Sequence, residues 1–157
     1  IFLVEGGVLE EFAIGGKIIY FGKAEDSLSK RDFKTHFSTG GTGRSTLRRS
    51  IGAILKKEYG LKAIPRSPKR SKHDLNNYKF SNDGEKILTT WMINNLEIGF
   101  HIPTPELLDD GLKELEGKML IYVKAPLDLD QRTKSFNPFA EKLQKLRSIC
   151  KEEAIRT

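Results

Sequence analysis

The chain is poor in cysteine, methionine and tryptophan: one, two and one among 157 residues. Cys150, alone, cannot close an internal disulfide, which suits a reducing compartment, and it excludes a zinc site built on several thiolates. No apolar run approaches the ~20 residues that a bilayer-spanning helix needs. The opening Ile1-Phe2-Leu3-Val4 has no basic flank and no extended apolar region, so it does not read as a signal peptide. A cytoplasmic protein without a membrane partner is expected. The chain opens without methionine, which leaves the completeness of its N-terminus open. Internal repeats, low-complexity tracts and a serine–histidine–aspartate pattern are missing from the sequence. The glycine-rich stretch GGTGRST at 40–46 lacks the lysine and the preceding strand of a phosphate loop, which argues against a nucleotide cofactor.

What is present fits one globular domain over 1–157. Apolar residues make up 38% and charged residues 31%, a balance that supports a buried core. The net charge of +6 is unevenly placed. Residues 44–72 carry ten cations against a single acid, Glu58, so the remainder of the chain is net acidic. A localised basic block is either the footprint of a polyanion or a solvated surface that aids solubility.

Period and punctuation predict the elements. Residues 1–22 read as three strands, FLVE, VLEEFAI and KIIYF, separated by glycine pairs suited to tight turns. A helix is expected over 25–37 and a flexible loop over 38–44. Residues 45–59 form the strongest helix, with Ser45 as cap and Leu47, Ile51, Ile54, Leu55 and Tyr59 in one apolar stripe. Its other side carries Arg48, Arg49, Gly52 and Lys56, where the small Gly52 leaves room for a backbone or a phosphate. Residues 60–82, with Pro65 and Pro68, read as a basic surface loop. A helix follows at 84–95 with Ile87, Leu88, Trp91 and Met92 inward. A strand is expected at 96–102 and a helix from about 104 to 123. A last amphipathic helix falls within 137–155, with Phe139, Leu143, Leu146 and Ile149-Cys150 inward. The fold class is α/β of the α+β kind: a small, mainly antiparallel central sheet flanked by helices.

A few side chains stand out chemically. On the 104–123 helix, Leu108, Leu112, Leu115, Met119, Tyr122 and Val123 share one arc. Glu116 falls roughly 60° from the centre of that arc, at the border of the buried face. A carboxylate there either bends out to water or needs a donor, a cation or a metal. Tyr20 ends its strand beside Gly22 and is either a core tyrosine or a hydroxyl presented at an opening. Lys23 is solvated or meets a phosphate as a point charge. Arg31 is an exposed cation or part of the same site, and His36 a structural or a catalytic histidine.

Taken in order, these residues resemble the GIY-YIG nuclease superfamily. Tyr20-Phe21-Gly22 stands where the family has its tyrosine-isoleucine-glycine motif. GKAEDSLSKRDFKTHF, beginning at Gly22, follows the family's sequence of glycine, short helix, arginine and histidine, matched by Arg31 and His36. Glu116, in LKELEGKMLIYVKAPLDL, matches the glutamate of the family's late helix. STLRRSIGAIL, LTTWMINNL and NPFAEKLQKLR resemble segments of a bacterial branch. Two positions depart from the pattern. Phe2 stands where the first motif has tyrosine, and Asp128 where asparagine is usual.

The resemblance implies hydrolysis of phosphodiester bonds with one divalent metal, Mg2+ or Mn2+, on Glu116. Arg31 would neutralise phosphoryl charge, and Tyr20 or His36 would orient or deprotonate water. Lys23, Arg44, Arg48, Arg49 and Lys56 would hold the nucleic-acid backbone. DNA is the expected substrate, with RNA left open. The alternative is a catalytically impaired nucleic-acid-binding module of the same fold, which Phe2 and Asp128 favour.

Overall fold

The computed structural model describes every residue except 5–6, 13–14, 25–26, 28–33, 109–110 and 133. The chain divides into two units, Ile1–Ser27 with Asn95–Ala140, and Leu28–Asn94 with Glu141–Thr157. Its class is α+β, as the periodicity predicts. The described strands form two separate antiparallel pairs rather than one central sheet.

The second unit is built around α1, Thr46–Tyr59. The Ser45 hydroxyl accepts the Arg48 N–H, and Gly60, at φ 62°, ends the helix in the left-handed conformation that glycine tolerates. The expected basic surface loop at 60–82 is instead structured. β2 (Ala63–Ile64) pairs with β3 (Lys79–Phe80), and α2 (Lys72–Asn76) lies between them with a capping box from Ser71 and Asp74. Buried apolar residues, Leu61, Ala63, Tyr78 and Phe80, are interleaved with the cations of this stretch. Each supplies an anchor that hydrophilic average composition concealed. α3 (Asn82–Asn95) and α5 (Ala140–Arg156) complete the unit. Leu88, Trp91, Met92, Leu143 and Cys150 are inward as expected, whereas Ile87 and Ile149 are exposed. Burial pushes the Cys150 thiol up, which marks it as an inert core residue.

Gly52 has a different reason from the one its neighbours indicate. A Cβ there would collide with the Phe80 ring. The glycine therefore admits a core phenylalanine to α1, not a phosphate. Alanine normally gains about 1 kcal/mol over glycine within a helix, but overpacking costs about 1–3 kcal/mol. Gly52→Ala is thus expected to lower stability in urea unfolding despite its better helix propensity.

In the first unit β1 (Phe2–Leu3) pairs with β4 (Leu96–Glu97), and Ile18 adds one bridge to Phe2. The strand expected at 96–102 therefore covers only its first two residues. VLEEFAI is not a strand where it is described: Gly7–Leu9 form a 3-10 turn, continued by Phe12 N–H to Leu9 O at 2.8 Å. Leu9 and Phe12, three apart, are both buried, a turn spacing that overrides the apparent alternation. The 104–123 helix is broken at Gly111, φ 83°, into a 3-10 turn, Pro105–Leu108, and α4, Leu112–Val123. The 25–37 helix lies mostly outside the described residues; residues 34–36 close one wide helical turn. The expected flexible loop at 38–44 holds a 3-10 turn, Thr42–Arg44, with Gly41, Thr42 and Gly43 buried. Among the described residues no helix is long and apolar enough to cross a membrane.

Candidate functional site

Residues 19–23 run extended, and three successive odd positions are tied to the late part of the chain. Ile19 O accepts the Leu127 N–H at 3.0 Å. Phe21 N–H donates to Asp128 Oδ2 at 3.0 Å, and Lys23 N–H donates to Glu116 Oε1 at 3.1 Å. On the other side, Ile1 O accepts the Ile19 N–H and Ile1 N donates to Tyr20 O, both at 2.9 Å. The Tyr20-Phe21-Gly22 motif is thereby clamped from both sides, with Tyr20 half-buried and Gly22 exposed.

Glu116 is more inward than the sequence arc predicts. Leu120, one turn later, is buried, whereas Tyr122 is 83% exposed. The interior-facing line of α4 thus passes through Glu116 and Leu120, and the Glu116 side chain keeps 13% exposure. Of the partners a buried carboxylate needs, it has a donor in Lys23 N–H and a cation in Arg132, whose Nη2 lies 3.0 Å from Oε2. Arg132 also forks onto Asp130, with Nε to Oδ1 at 2.8 Å and Nη2 to Oδ2 at 3.0 Å. These bonds hold the Asp130 carboxyl below its ordinary range. Their contribution is fully present above pH ~3.9 and is lost as pH falls through the depressed value. Arg132 escaped the sequence reading. The signal available was Asp130-Gln131-Arg132, an acid and a base two apart just after the proline-containing segment.

Asp128 is buried and serves the fold: its carboxylate receives Phe21 N–H, and its carbonyl receives Asn137 Nδ2 at 2.9 Å. Asparagine offers an equivalent oxygen. Asp128→Asn should therefore change stability by less than about 1 kcal/mol, and Asp128→Ala should cost about 1–3 kcal/mol, read from urea midpoints. Phe2 packs its ring on Gly99, where a Cβ would stand 2.5 Å from Cε2.

The second unit places several expected site residues inside the protein. Arg48 is fully buried. Its guanidinium meets Glu85 Oε2 at 2.8 Å, Thr42 Oγ1 at 3.1 Å, Thr89 Oγ1 at 3.0 Å and His36 O at 3.0 Å. Burial lowers its pKa, against the pull of Glu85. Arg49, also buried, donates to the carbonyls of Thr42 and Gly43. Lys56 donates at 2.6 Å to both Leu61 O and Glu153 Oε2, tying α1 to α5. All three are engaged with protein oxygens: Arg48 and Lys56 with carboxylates, Arg49 with neutral carbonyls. Arg44 alone of that expected set on and before α1 is exposed. His36 is 4% exposed, with Nδ1 at 2.7 Å from Ser45 Oγ, the α1 cap. This seating ties it to the helix start and leaves its ring little exposed to water. Arg31 lies outside the described residues.

A single divalent cation fits Glu116. Each carboxylate oxygen has two lone pairs, and the Lys23 N–H takes only one of those on Oε1. Mg2+ takes one or two carboxylates and fills its shell with water and phosphate oxygens. Among the described residues no three histidine, cysteine, aspartate or glutamate side chains converge on a possible metal position, so Glu116 would hold the cation with at most one further such side chain from among them.

A family model of the GIY-YIG catalytic domain matches residues 10–149. The chain belongs to that family, whose activity is of the nuclease type and generally depends on a divalent metal. No curated protein and no solved structure matches it.

Proposed function

We propose that the chain is a divalent-metal-dependent endonuclease that hydrolyses phosphodiester bonds in DNA. The observation that carries this is the hydrogen bond from Lys23 N–H to Glu116. It joins the residue just after Tyr20-Phe21-Gly22 to the one carboxylate that the family pattern assigns to the metal. Glu116 would hold Mg2+ or Mn2+ through its carboxylate. A cation held there would supply Lewis-acid polarisation of a phosphoryl oxygen and charge stabilisation at the leaving oxygen. Tyr20 orients the attacking water and, acting as its phenolate, takes the proton, a role that the burial of His36 disfavours for that side chain. Arg31, by the family pattern, neutralises charge on the phosphoryl oxygens, a contribution on the order of 3 kcal/mol. The backbone-holding face passes from the buried arginines of α1 to exposed cations: Arg44, Lys57, Lys62, Lys69 and Lys72. Such contacts fix position rather than sequence. The test is nicking of supercoiled plasmid with Mg2+ or Mn2+ by the wild type and by Glu116→Gln.

Phe2 favours a second function, a nucleic-acid-binding module without hydrolysis. Its ring lies on Gly99 and offers no hydroxyl to water or phosphate. Salt-sensitive DNA binding with no nicking in either metal would select it.

A further inference from the structure

Glu116 is already paired. Arg132 Nη2 sits on Oε2, the oxygen that Lys23 leaves alone, and the same guanidinium is forked onto Asp130. The guanidinium also lies close over the α4 backbone. A Cβ on Gly117 would stand 3.3 Å from Arg132 Nη1, so the glycine leaves space for the cation beside Glu116. Two positive groups on one carboxylate, whichever oxygen each takes, repel one another strongly at that distance. Arg132 is the more movable of its partners, since its side chain is 38% exposed, against 13% for that of Glu116.

We propose that Arg132 is an internal competitor of the divalent cation for Glu116, tethered to Asp130 so that it swings aside without leaving the site. This rests on the proposed assignment of the metal to Glu116. Arg132 is then a positioning residue that sets how readily Glu116 loads. With the metal in place, its guanidinium would keep its bonds to Asp130.

The experiment is Mn2+ binding to the full chain, followed by the EPR signal of free Mn2+ with no nucleic acid present. Arg132→Gln removes the competing charge and should tighten Mn2+ binding about fivefold, the upper worth of a partly exposed ion pair. Gly117→Ala, which crowds Arg132 Nη1 without altering any charge, should tighten it in the same direction by less. Lys113→Gln takes the same charge from an exposed position of α4 and should leave binding unchanged. Adding Glu116→Gln to Arg132→Gln should erase the gain. Equal or weaker binding by Arg132→Gln overturns the competition, as does an equal gain from Lys113→Gln. If Glu116→Gln alone abolishes binding while Arg132→Gln fails to tighten it, only the role of Arg132 falls. If Glu116→Gln binds like the wild type, or if no form binds Mn2+, the metal assignment falls and the competition with it.

Discussion

Glu116→Gln should abolish metal-dependent nicking of supercoiled plasmid while leaving the chain folded. Glutamine keeps the size of the side chain and a carbonyl oxygen for the Lys23 N–H, so the clamp on Tyr20-Phe21-Gly22 survives. The lost ion pair with Arg132, whose side chain is 38% exposed, is worth no more than about 1 kcal/mol. A neutral amide, however, is a poor ligand for a hard divalent cation. The nicking rate should fall roughly a thousandfold or more, about 4 kcal/mol of lost transition-state stabilisation. Thermal unfolding separates the two effects: an unchanged midpoint with lost nicking places the defect in chemistry. Wild-type nicking by Glu116→Gln would remove the carboxylate from the mechanism. Absence of nicking in the wild type, with salt-sensitive binding retained, would make Phe2 the mark of a binding module.

The parts of the fold legible in the sequence were those decided by local periodicity. The stripe Leu47-Ile51-Leu55 and the cap Ser45 give α1 almost to the residue. The same holds for α3 and α5, whose buried positions recur at helical spacing. What escaped depended on partners distant in sequence. VLEEFAI alternates like a strand, but Leu9 and Phe12 are buried by a turn, and no strand pairs with them among the described residues. Arg48 and Arg49 look like a basic face because cations are usually solvated. Glu85, far along the chain on α3, reverses that by burying a counter-charge opposite Arg48. For the site, Glu116 was found from helix geometry together with the family pattern. Its need for a donor and a cation was legible too. The identity of those partners, a main-chain N–H at Lys23 and the guanidinium of Arg132, was not, since both come from segments without periodic structure.

Glu85→Ala should be the most destabilising single change in the second unit. Glu85 Oε2 receives Gly40 N–H at 3.1 Å, the Thr42 hydroxyl at 2.9 Å and Arg48 Nη2 at 2.8 Å, and Oε1 receives Phe80 N–H at 3.1 Å. Removing the carboxylate leaves a buried guanidinium without its counter-charge and three further donors without an acceptor. The cost of such a break is about 3–5 kcal/mol, a fifth or more of the ~5–15 kcal/mol that holds a typical domain folded. The urea midpoint should fall accordingly, and an unchanged slope would show that the native state, not the unfolded chain, was altered. The pair itself is a different quantity from the cost of breaking it. Arg48→Met combined with Glu85→Leu removes both charges, and the coupling in a double-mutant cycle should recover part of the loss. Recovery should stop short of wild type, because Gly40 N–H, Phe80 N–H and the Thr42 hydroxyl still lose their acceptor. A loss below about 1 kcal/mol for Glu85→Ala would mean that water reaches the network. Burial would then no longer explain why Arg48 faces inward in a chain otherwise rich in surface cations.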